Sequence, residues 1–333
     1  MIDPTAKLTD KLFADDIPHA PTRDGFGKGT IDAAKKDARV VVLSADLSES
    51  TRADWFAKEF PDRFIEMGVA EQNMATVAAG LANYGKIPYI SSYAAFSPGR
   101  NYEQIRTTIA LNNVPVIVCG MHAGLQTGPD GATHQMLEDV GMMRMLPHFI
   151  VIVPADAEEG RKAAAAAATT GTPVYLRYAR EKMPVITTSA TSFEIGKAIS
   201  MWLPIEGKKA DVAIFACGSL VYEALKAAKT LEEKGVSVRL LNVHTIKPLD
   251  KEAIILAAKE AGTVVTVEEH MANGGFGSAV AELLSSEYPV HIERVGVQDR
   301  FGQSGKAMEL IKYYGLDGES IVKAAERALS LKG

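Results

Sequence analysis

The stretch ARVVVLSADLSEST, residues Ala38–Thr51, decides the fold class. Its first half is an unbroken run of mostly β-branched apolar residues, which is typical of a parallel strand covered on both faces. From Ser44 onward the stretch turns abruptly polar, as expected where such a strand ends. Ligands of open α/β sheets bind beyond the carboxyl ends of the strands, so the polar half marks a candidate site.

Strand-like and helix-like patterns alternate on either side of this stretch and continue along the chain. The strand-like runs are IPYISSY (Ile87–Tyr93), VPVIVCG (Val114–Gly120), HFIVIVPAD (His148–Asp156) and TPVYLRYAR (Thr172–Arg180). A break over residues 181–193 precedes a second series, which begins with ADVAIFACG (Ala210–Gly218). The alternation predicts an α/β protein of two doubly wound domains with largely parallel sheets. We assign residues 1–20 to an N-terminal extension lying on a surface or a partner, 21–185 to the first domain and 194–333 to the second.

Composition excludes several classes of protein. A length of 333 residues suits two domains, at roughly 150 residues per domain. The net charge of −5 and the 7% aromatic content give no basic or stacking surface for nucleic acid. No apolar run reaches the length of a membrane span, and the N-terminus lacks a signal-peptide pattern. Cys119 and Cys217 lie in apolar runs, which indicates reduced core residues of a cytoplasmic protein.

Two acidic segments carry candidate chemistry. Asp46 and Ser50 follow the first strand, where they either cap a helix or bind a polar ligand. Glu71 opens a helix of small apolar residues. Its carboxylate either complements the helix dipole or is a buried proton-transfer group.

Three further segments follow later strands. His122, Asp130 and His134 lie on the glycine-rich loop HAGLQTGPDGATHQ, which is either an ordinary surface loop or a substrate-binding loop, and their spacing matches no tight metal motif. Arg177 and Arg180 end a strand, where a guanidinium suits a phosphate or carboxylate, or forms a surface ion pair. NGGFGSAV lacks the third glycine of a dinucleotide loop and is interpreted as a tight turn.

Taken in order, these segments resemble the transketolase family of thiamine-diphosphate enzymes, and more specifically the C-terminal subunit of a split transketolase. The matching segments are SADLSEST (Ser44–Thr51), MGVAEQNMA (Met67–Ala75), SYAAFSPGRNYEQIR (Ser92–Arg106), GPDGATHQMLED (Gly128–Asp139), NVHTIKPLD (Asn242–Asp250) and EEHMANGGFGSAV (Glu268–Val280). The resemblance implies a pyrimidine-binding domain followed by a transketolase C-terminal domain.

The resemblance also implies roles around thiamine diphosphate. Glu71 corresponds to the family's catalytic glutamate, whose carboxyl group hydrogen-bonds the ring nitrogen of the cofactor's aminopyrimidine. Phe96 corresponds to the aromatic residue that stacks on that ring, and Asp46 to an acidic residue near the cofactor. No role follows for Tyr93, Gly99 or Arg100.

A second set of implied roles concerns the substrate. The residues expected to bind sugar hydroxyls are His122, Asp130 and His134, of which His134 is also expected to act in catalysis, and those expected to bind the substrate phosphate are Arg23, Ser50 and Arg177. The resemblance thus implies transfer of a two-carbon ketol unit from a ketose phosphate to an aldose phosphate, as in the pentose phosphate pathway.

One family element has no counterpart in the sequence. Nothing matches the GDG…N motif that holds magnesium and the diphosphate, since PDG at Pro129–Gly131 lacks the downstream asparagine. We therefore expect no metal site in this chain, and an obligate complex with a separate N-terminal transketolase subunit that binds Mg²⁺, with two copies of each chain (α2β2). The alternatives are the β subunit of a 2-oxoacid dehydrogenase or a related thiamine enzyme such as deoxyxylulose-phosphate synthase, a non-catalytic partner subunit, and a nucleotide-binding oxidoreductase.

Overall fold

The first domain of the computed structural model, which describes residues 1–332, is built around parallel strands covered by helices. Its strands are β1 (His19–Pro21), β2 (Val40–Ser44), β3 (Phe64–Glu66), β4 (Ile87–Tyr93), β5 (Ile117–Met121), β6 (Ile150–Ile152), β7 (Val174–Arg177) and β8 (Lys182–Pro184). Its helices are α1 (Thr22–Lys36), α2 (Ser48–Thr51), α3 (Ala53–Glu59), α4 (Glu71–Asn83), α5 (Tyr102–Gln104), α6 (Asp139–Met145) and α7 (Ala157–Ala167).

The second domain repeats the same architecture on a smaller scale. Its strands are β9 (Ile199–Trp202), β10 (Val212–Ala216), β11 (Val238–Asn242), β12 (Thr245–Lys247), β13 (Thr263–Met271) and β14 (His291–Val297). Its helices are α8 (Val221–Glu233), α9 (Lys251–Ala261), α10 (Phe276–Glu287), α11 (Ala307–Tyr313) and α12 (Gly318–Ser330). Among residues 1–332, no helix is both long and apolar enough to cross a bilayer.

The sheet topology confirms the predicted α/β fold class. The larger sheet has the order β12-β6-β7-β5-β4-β2-β3 and the smaller one β14-β13-β10-β11-β9, while β1 and β8 form a separate antiparallel pair. Only β12 and β9 run antiparallel to their neighbours in the two large sheets. The sequence did not indicate that β12, from the second domain, would pair with β6 and cover the open edge of the first sheet.

Strand β2 shows why the stretch Ala38–Thr51 indicates the fold class. All five of its residues are buried. Val41 and Leu43 pack in one apolar cluster with α4, and Val40 and Val42 pack in another with α1 and α3 on the opposite face. The unbroken apolar run therefore reflects a parallel strand with helices on both sides.

The N-terminal segment lies on the second domain of its own chain. The backbone N–H of Asp3 donates to the carbonyl of Met201 at 3.1 Å. Ala6, Leu12 and Ile17 are buried in the same apolar cluster as residues of the second domain. The segment thus ties the start of the chain to the second domain before β1 begins the first.

Close packing of α1 on α7 fixes the start of α1. A Cβ added at Gly25 would lie 2.3 Å from the carbonyl oxygen of Ala157, and one at Gly29 would lie 2.3 Å from that of Arg161. Only glycine allows this approach. The contact holds the first turn of α1, which carries Arg23, against the rest of the first domain.

A buried carboxyl group lies at the junction between the domains. Glu159 accepts hydrogen bonds from the N–H of Ala155 at 2.6 Å and from Nδ2 of Asn242 at 2.8 Å, the latter on β11 of the second domain. Burial raises the pKa of Glu159 to about 8, and the nearby carboxylate of Asp156 acts in the same direction. The folded protein therefore holds a proton on Glu159 at pH values where the unfolded chain does not.

This proton makes stability depend on pH. Because the folded pKa of about 8 exceeds the ordinary value of 4.5, the stabilisation is complete below about pH 4.5 and is lost as pH rises towards 8. We expect the free energy of unfolding to fall by up to about 1.4 kcal/mol per pH unit through this group. In Glu159→Gln that loss should disappear, because a glutamine side chain does not titrate. The fold should tolerate the change, since the amide of Asn242, whose Oδ1 is buried without a partner, can turn to accept from the glutamine.

Urea unfolding between pH 6 and 8.5 measures this difference. Glu158→Gln, a change at the neighbouring position on α7, is the matched control and should keep the wild-type slope. Parallel profiles for wild type and Glu159→Gln would contradict the assignment.

Candidate active site

The candidate site lies at the carboxyl edge of the first sheet. β2 is flanked by β3 on one side and by β4 on the other, so the order of winding reverses there. Such a reversal opens a crevice between the loops that follow the two neighbouring strands. The segments that follow β2, β3, β4 and β5 carry most of the residues singled out in the sequence.

Glu71 begins α4, and its side chain is buried with an incompletely satisfied carboxyl group. The residue is only 3% exposed, and its Oε2 has no hydrogen-bond partner among the described residues. Its backbone carbonyl accepts from Nδ2 of the buried Asn101 at 3.0 Å, which fixes the start of the helix. Because a buried polar atom without a partner is costly, the free oxygen indicates a place where a ligand supplies a donor.

Four rings form a second feature, the ring cluster of Tyr93, Phe96, His122 and His134. The ring centroids of Tyr93 and His122 are 4.0 Å apart, and those of Phe96 and His134 are 5.4 Å apart. Tyr93 and Phe96 stack with centroids 5.9 Å apart. The structure therefore brings together three residues predicted separately from the sequence, and adds Tyr93.

Arg23 links the ring cluster to the loop after β2. Its Nη1 donates to the carbonyl of Ser50 at 2.7 Å and lies 2.5 Å from Nε2 of His122. The hydroxyl of Tyr93 donates to Oγ of Ser50 at 3.0 Å. Arg23 forms no ion pair among the described residues, and its Nε is buried without a hydrogen-bond partner.

Positive charge dominates this part of the site. Burial lowers the pKa of His122 to about 2, and Arg23, Arg180 and Arg52 add to the shift. His122 is therefore neutral at physiological pH, and its Nε2 is the acceptor for Arg23. Burial, together with Arg52 and Arg180, also lowers the pKa of Arg23. Such a concentration of cationic groups favours an anionic ligand.

Asp130 and Arg180 form a partly exposed ion pair, and the charge of Arg180 acts on His122 in the ring cluster. Nη1 of Arg180 donates to the carbonyl of Thr127 at 2.7 Å and to Oδ1 of Asp130 at 3.2 Å. Arg52 is paired with Asp24 at 2.7 Å, which offsets its charge. Arg23 thus forms no ion pair among the described residues, and Arg180 has a longer ion pair than Arg52, at 3.2 Å against 2.7 Å.

Arg177 does not lie in this cluster, contrary to the sequence-based prediction. It is 6% exposed, and its Nε forms an ion pair with the fully buried Asp139 at 2.8 Å. Its Nη2 donates to the backbone carbonyl of Glu269 at 2.9 Å. The guanidinium is therefore occupied inside the protein, where it joins the two domains.

Asp46 is separate from the ring cluster as well. The residue is exposed and its carboxylate has no hydrogen bond with the described residues, while its backbone N–H donates to Oε1 of Glu66 at 2.7 Å. The N–H of Gly68 donates to the same oxygen at 3.1 Å. Glu66 thus holds the loop after β2 against the turn that leads to Glu71.

Arg177 and Arg180 are both anion-binding candidates from the sequence, the resemblance selects Arg177, and no role follows from either for Tyr93 or Arg52. The sequence held a signal in favour of Arg180. Arg177 still belongs to β7, and because side chains alternate between the two faces of a strand, it shares a face with Tyr175. Both side chains bond to Asp139. Arg180 lies three residues further on, beyond the strand end, where ligands bind. No comparable signal marked Arg52, which depends on tertiary packing.

Comparison with known proteins identifies two family matches. Residues 19–185 match the family described as "Transketolase, pyrimidine binding domain", and residues 203–321 match "Transketolase, C-terminal domain". Together the two matches cover most of the chain.

Three relatives are informative. A protein of Methanocaldococcus jannaschii named as a transketolase C-terminal section is 45% identical over 90% of this chain and 94% of its own length. The 6-deoxy-6-sulfo-D-fructose transketolase subunit SqwH of a Clostridium species is 39% identical over 93% of this chain and 95% of its own. A solved structure titled "Split gene transketolase, inactive beta4 tetramer" superposes with a TM-score of 0.86 at 42% identity, covering 94% of this chain and 99% of that one.

The different placements of Arg177 and Arg180 lead to a stability prediction. We expect Arg177→Met to lower the free energy of unfolding by about 3–5 kcal/mol, because it leaves the Asp139 carboxylate buried without its partner. Arg180→Met should cost no more than about 1 kcal/mol, since its pair with Asp130 is partly exposed. Urea unfolding of both variants measures the difference, and equal losses would contradict the assigned placements.

Proposed function

Because this chain belongs to the transketolase family, whose members depend on thiamine diphosphate, we propose that it is the C-terminal subunit of a split transketolase. Its proposed reaction moves a two-carbon ketol unit from a ketose phosphate to an aldose phosphate. In this proposal the chain supplies the glutamate that acts on the cofactor and the residues that bind the sugar phosphate. The two buried free cysteines fit the reducing cytoplasm.

The observation that carries the proposal is the free oxygen of Glu71. Oε2 is buried and lacks a donor, and the ring cluster supplies the aromatic residue Phe96 for stacking on a flat ring. These groups fit an aminopyrimidine, whose ring nitrogen donates to Oε2 when it carries a proton and whose face can stack on an aromatic ring. When bound, thiamine diphosphate supplies the nucleophilic carbon and the electron sink of the reaction. Glu71 would hold a proton at the ring nitrogen, and burial keeps water away from that contact.

The cationic side of the site supports a phosphorylated substrate. Arg23 forms no ion pair among residues 1–332, and Arg180 is near enough to help lower its pKa. We propose that these two guanidiniums, with Ser50, bind the substrate phosphate, so that Arg180 takes the part expected of Arg177. His122, Asp130 and His134 would then bind the sugar hydroxyls, with His134 also acting in catalysis, while Asp46 would lie near the cofactor.

A separate subunit is proposed to bind the diphosphate and Mg²⁺. Within the part of the chain that the structure describes, no group of three or more His, Cys, Asp or Glu side chains is arranged to hold a metal ion. The solved split-gene relative is a β4 tetramer described as inactive. We propose that this chain likewise requires an N-terminal transketolase subunit, and that two copies of each chain assemble as α2β2.

Reconstitution tests the function. The purified chain, a candidate N-terminal subunit, thiamine diphosphate and Mg²⁺ are assayed together and with each component left out. The expected result is ketol transfer between sugar phosphates only in the complete mixture. Decarboxylation of a 2-oxoacid instead would favour the dehydrogenase alternative, and an active partner that gains nothing from this chain would favour a non-catalytic role.

Glu71→Ala should abolish transfer while leaving assembly intact. Because general acid–base groups contribute about 10²–10⁴-fold, we expect kcat to fall by at least that range. Size-exclusion chromatography with light scattering checks that the variant complex keeps its mass. Glu103→Ala removes an exposed glutamate from the first turn of another helix and is the matched control. Near-normal turnover of Glu71→Ala would refute the assignment.

Arg180→Met should weaken binding of phosphorylated substrates. Loss of a hydrogen bond to a charged group costs about 1.5–3 kcal/mol, so KM should rise roughly 10- to 100-fold. The corresponding sugar without phosphate is the control, and its KM should not change. An equal rise for both sugars would contradict phosphate binding by Arg180.

A further inference from the structure

A carboxylate of the second domain supports the loop that carries the proposed sugar-binding residues. Glu269, near the end of β13, is 3% exposed and uses both of its oxygens. Oε1 accepts from the backbone N–H of Gln126 at 2.7 Å, and Oε2 accepts from the hydroxyl of Ser219 at 2.7 Å. One side chain therefore connects the second domain to residues 122–135 of the first, which we call the site loop.

The site loop is fitted closely onto this carboxylate. Gly124 has a φ of +84°, and a Cβ at that position would lie 2.5 Å from Oε1 of Glu269. Both the backbone conformation and the space therefore require glycine. The loop backbone passes over Glu269 two residues after His122 and reaches its hydrogen bond at Gln126.

The second domain also contacts the far end of the site loop. Nε2 of Gln135 donates to the carbonyl of Gln303 at 3.0 Å, and also to Leu125 and Gly128 within the loop. A Cβ at Gly302 would lie 2.0 Å from Oε1 of Gln135. His134 is thus the neighbour of a residue that the second domain holds.

The remaining interactions of Glu269 keep it in place. Burial raises the pKa of its carboxyl group, while the nearby Arg177 acts in the opposite direction. Arg177 also donates to the Glu269 backbone carbonyl, so the residue is fixed at both its backbone and its side chain. A group held in this way can transmit the position of the second domain to the loop that lies on it.

We propose that Glu269 is a positioning residue for sugar binding: it fixes the site loop so that His122, Asp130 and His134 reach the substrate. The inference rests on the proposed function and gives the second domain, which contributes no side chain to the ring cluster, a specific part in substrate recognition. As a positioning residue, Glu269 itself touches neither substrate nor cofactor.

The main test compares Glu269→Ala with Glu269→Gln in the reconstituted complex. The alanine variant loses both hydrogen bonds, so KM for both sugar phosphates should rise at least tenfold, and kcat should fall as well because His134 lies on the same loop. Glutamine can accept from the Gln126 N–H and donate to Ser219, so Glu269→Gln should restore a near wild-type KM.

Glu268→Ala is the matched control for stability. Glu268 is as deeply buried, and its two oxygens accept from the N–H groups of Phe276 and Gly277, each at 2.7 Å, inside the second domain. Its loss should lower Tm about as much as that of Glu269 but leave KM unchanged. An equal rise in KM for the two alanine variants would overturn the proposal, because a general loss of stability would then explain both.

Hydrogen–deuterium exchange of the chain separates this inference from the proposed function. Amides of residues 123–131 should exchange faster in Glu269→Ala than in wild type or Glu268→Ala. An inactive wild-type complex would overturn the proposed function by itself. In that event, unchanged exchange in Glu269→Ala would also overturn the anchoring of the loop, and faster exchange would uphold it.

Discussion

The buried ion pair between Arg177 and Asp139 is the interaction on which the site depends. Its two atoms are 2.8 Å apart, and Asp139 also accepts from the hydroxyl of Tyr175 at 2.6 Å. Arg177 is on β7 of the first domain and reaches the backbone of Glu269 on β13 of the second. Since breaking a buried pair leaves an uncompensated charge, Asp139 keeps the Arg177 guanidinium in place, and the bond from its Nη2 to the Glu269 carbonyl then fixes the second domain's position relative to the first. The site loop contacts both domains, so its geometry depends on that relative position.

The sequence predicted the frame of the molecule well, because its signals there are local. The unbroken apolar run at Val40–Ser44 and the polar residues after it follow from the burial of a parallel strand on both faces. Glu71 stands out because it is a carboxyl group among the mostly apolar buried residues of α4. The ring cluster was also foreseen in part, since parallel strands bring the loops after their carboxyl ends to one edge of the sheet.

The remaining features depend on tertiary contacts that no local pattern encodes. Arg177 and Arg180 differ by three positions, yet one is buried against Asp139 and the other lies at the crevice. The difference arises because β7 ends at Arg177, so Arg180 lies beyond the end of the strand. Strand β12 has no pattern that reveals its pairing across domains with β6. Glu269 looked like part of an ordinary strand, because its partner, the N–H of Gln126, is 143 residues away in sequence.

Two buried atoms of the site lack hydrogen-bond partners: Oε2 of Glu71 and Nε of the cationic Arg23. One calls for a hydrogen-bond donor and the other for an anion, as an aminopyrimidine and a sugar phosphate would provide. The most direct measurement is the structure of the reconstituted complex with thiamine diphosphate and a ketose phosphate. We expect Oε2 of Glu71 within about 3 Å of a ring nitrogen of the aminopyrimidine, and the phosphate against Arg23 and Arg180. A cofactor ring that leaves Oε2 of Glu71 without a donor would contradict this expectation.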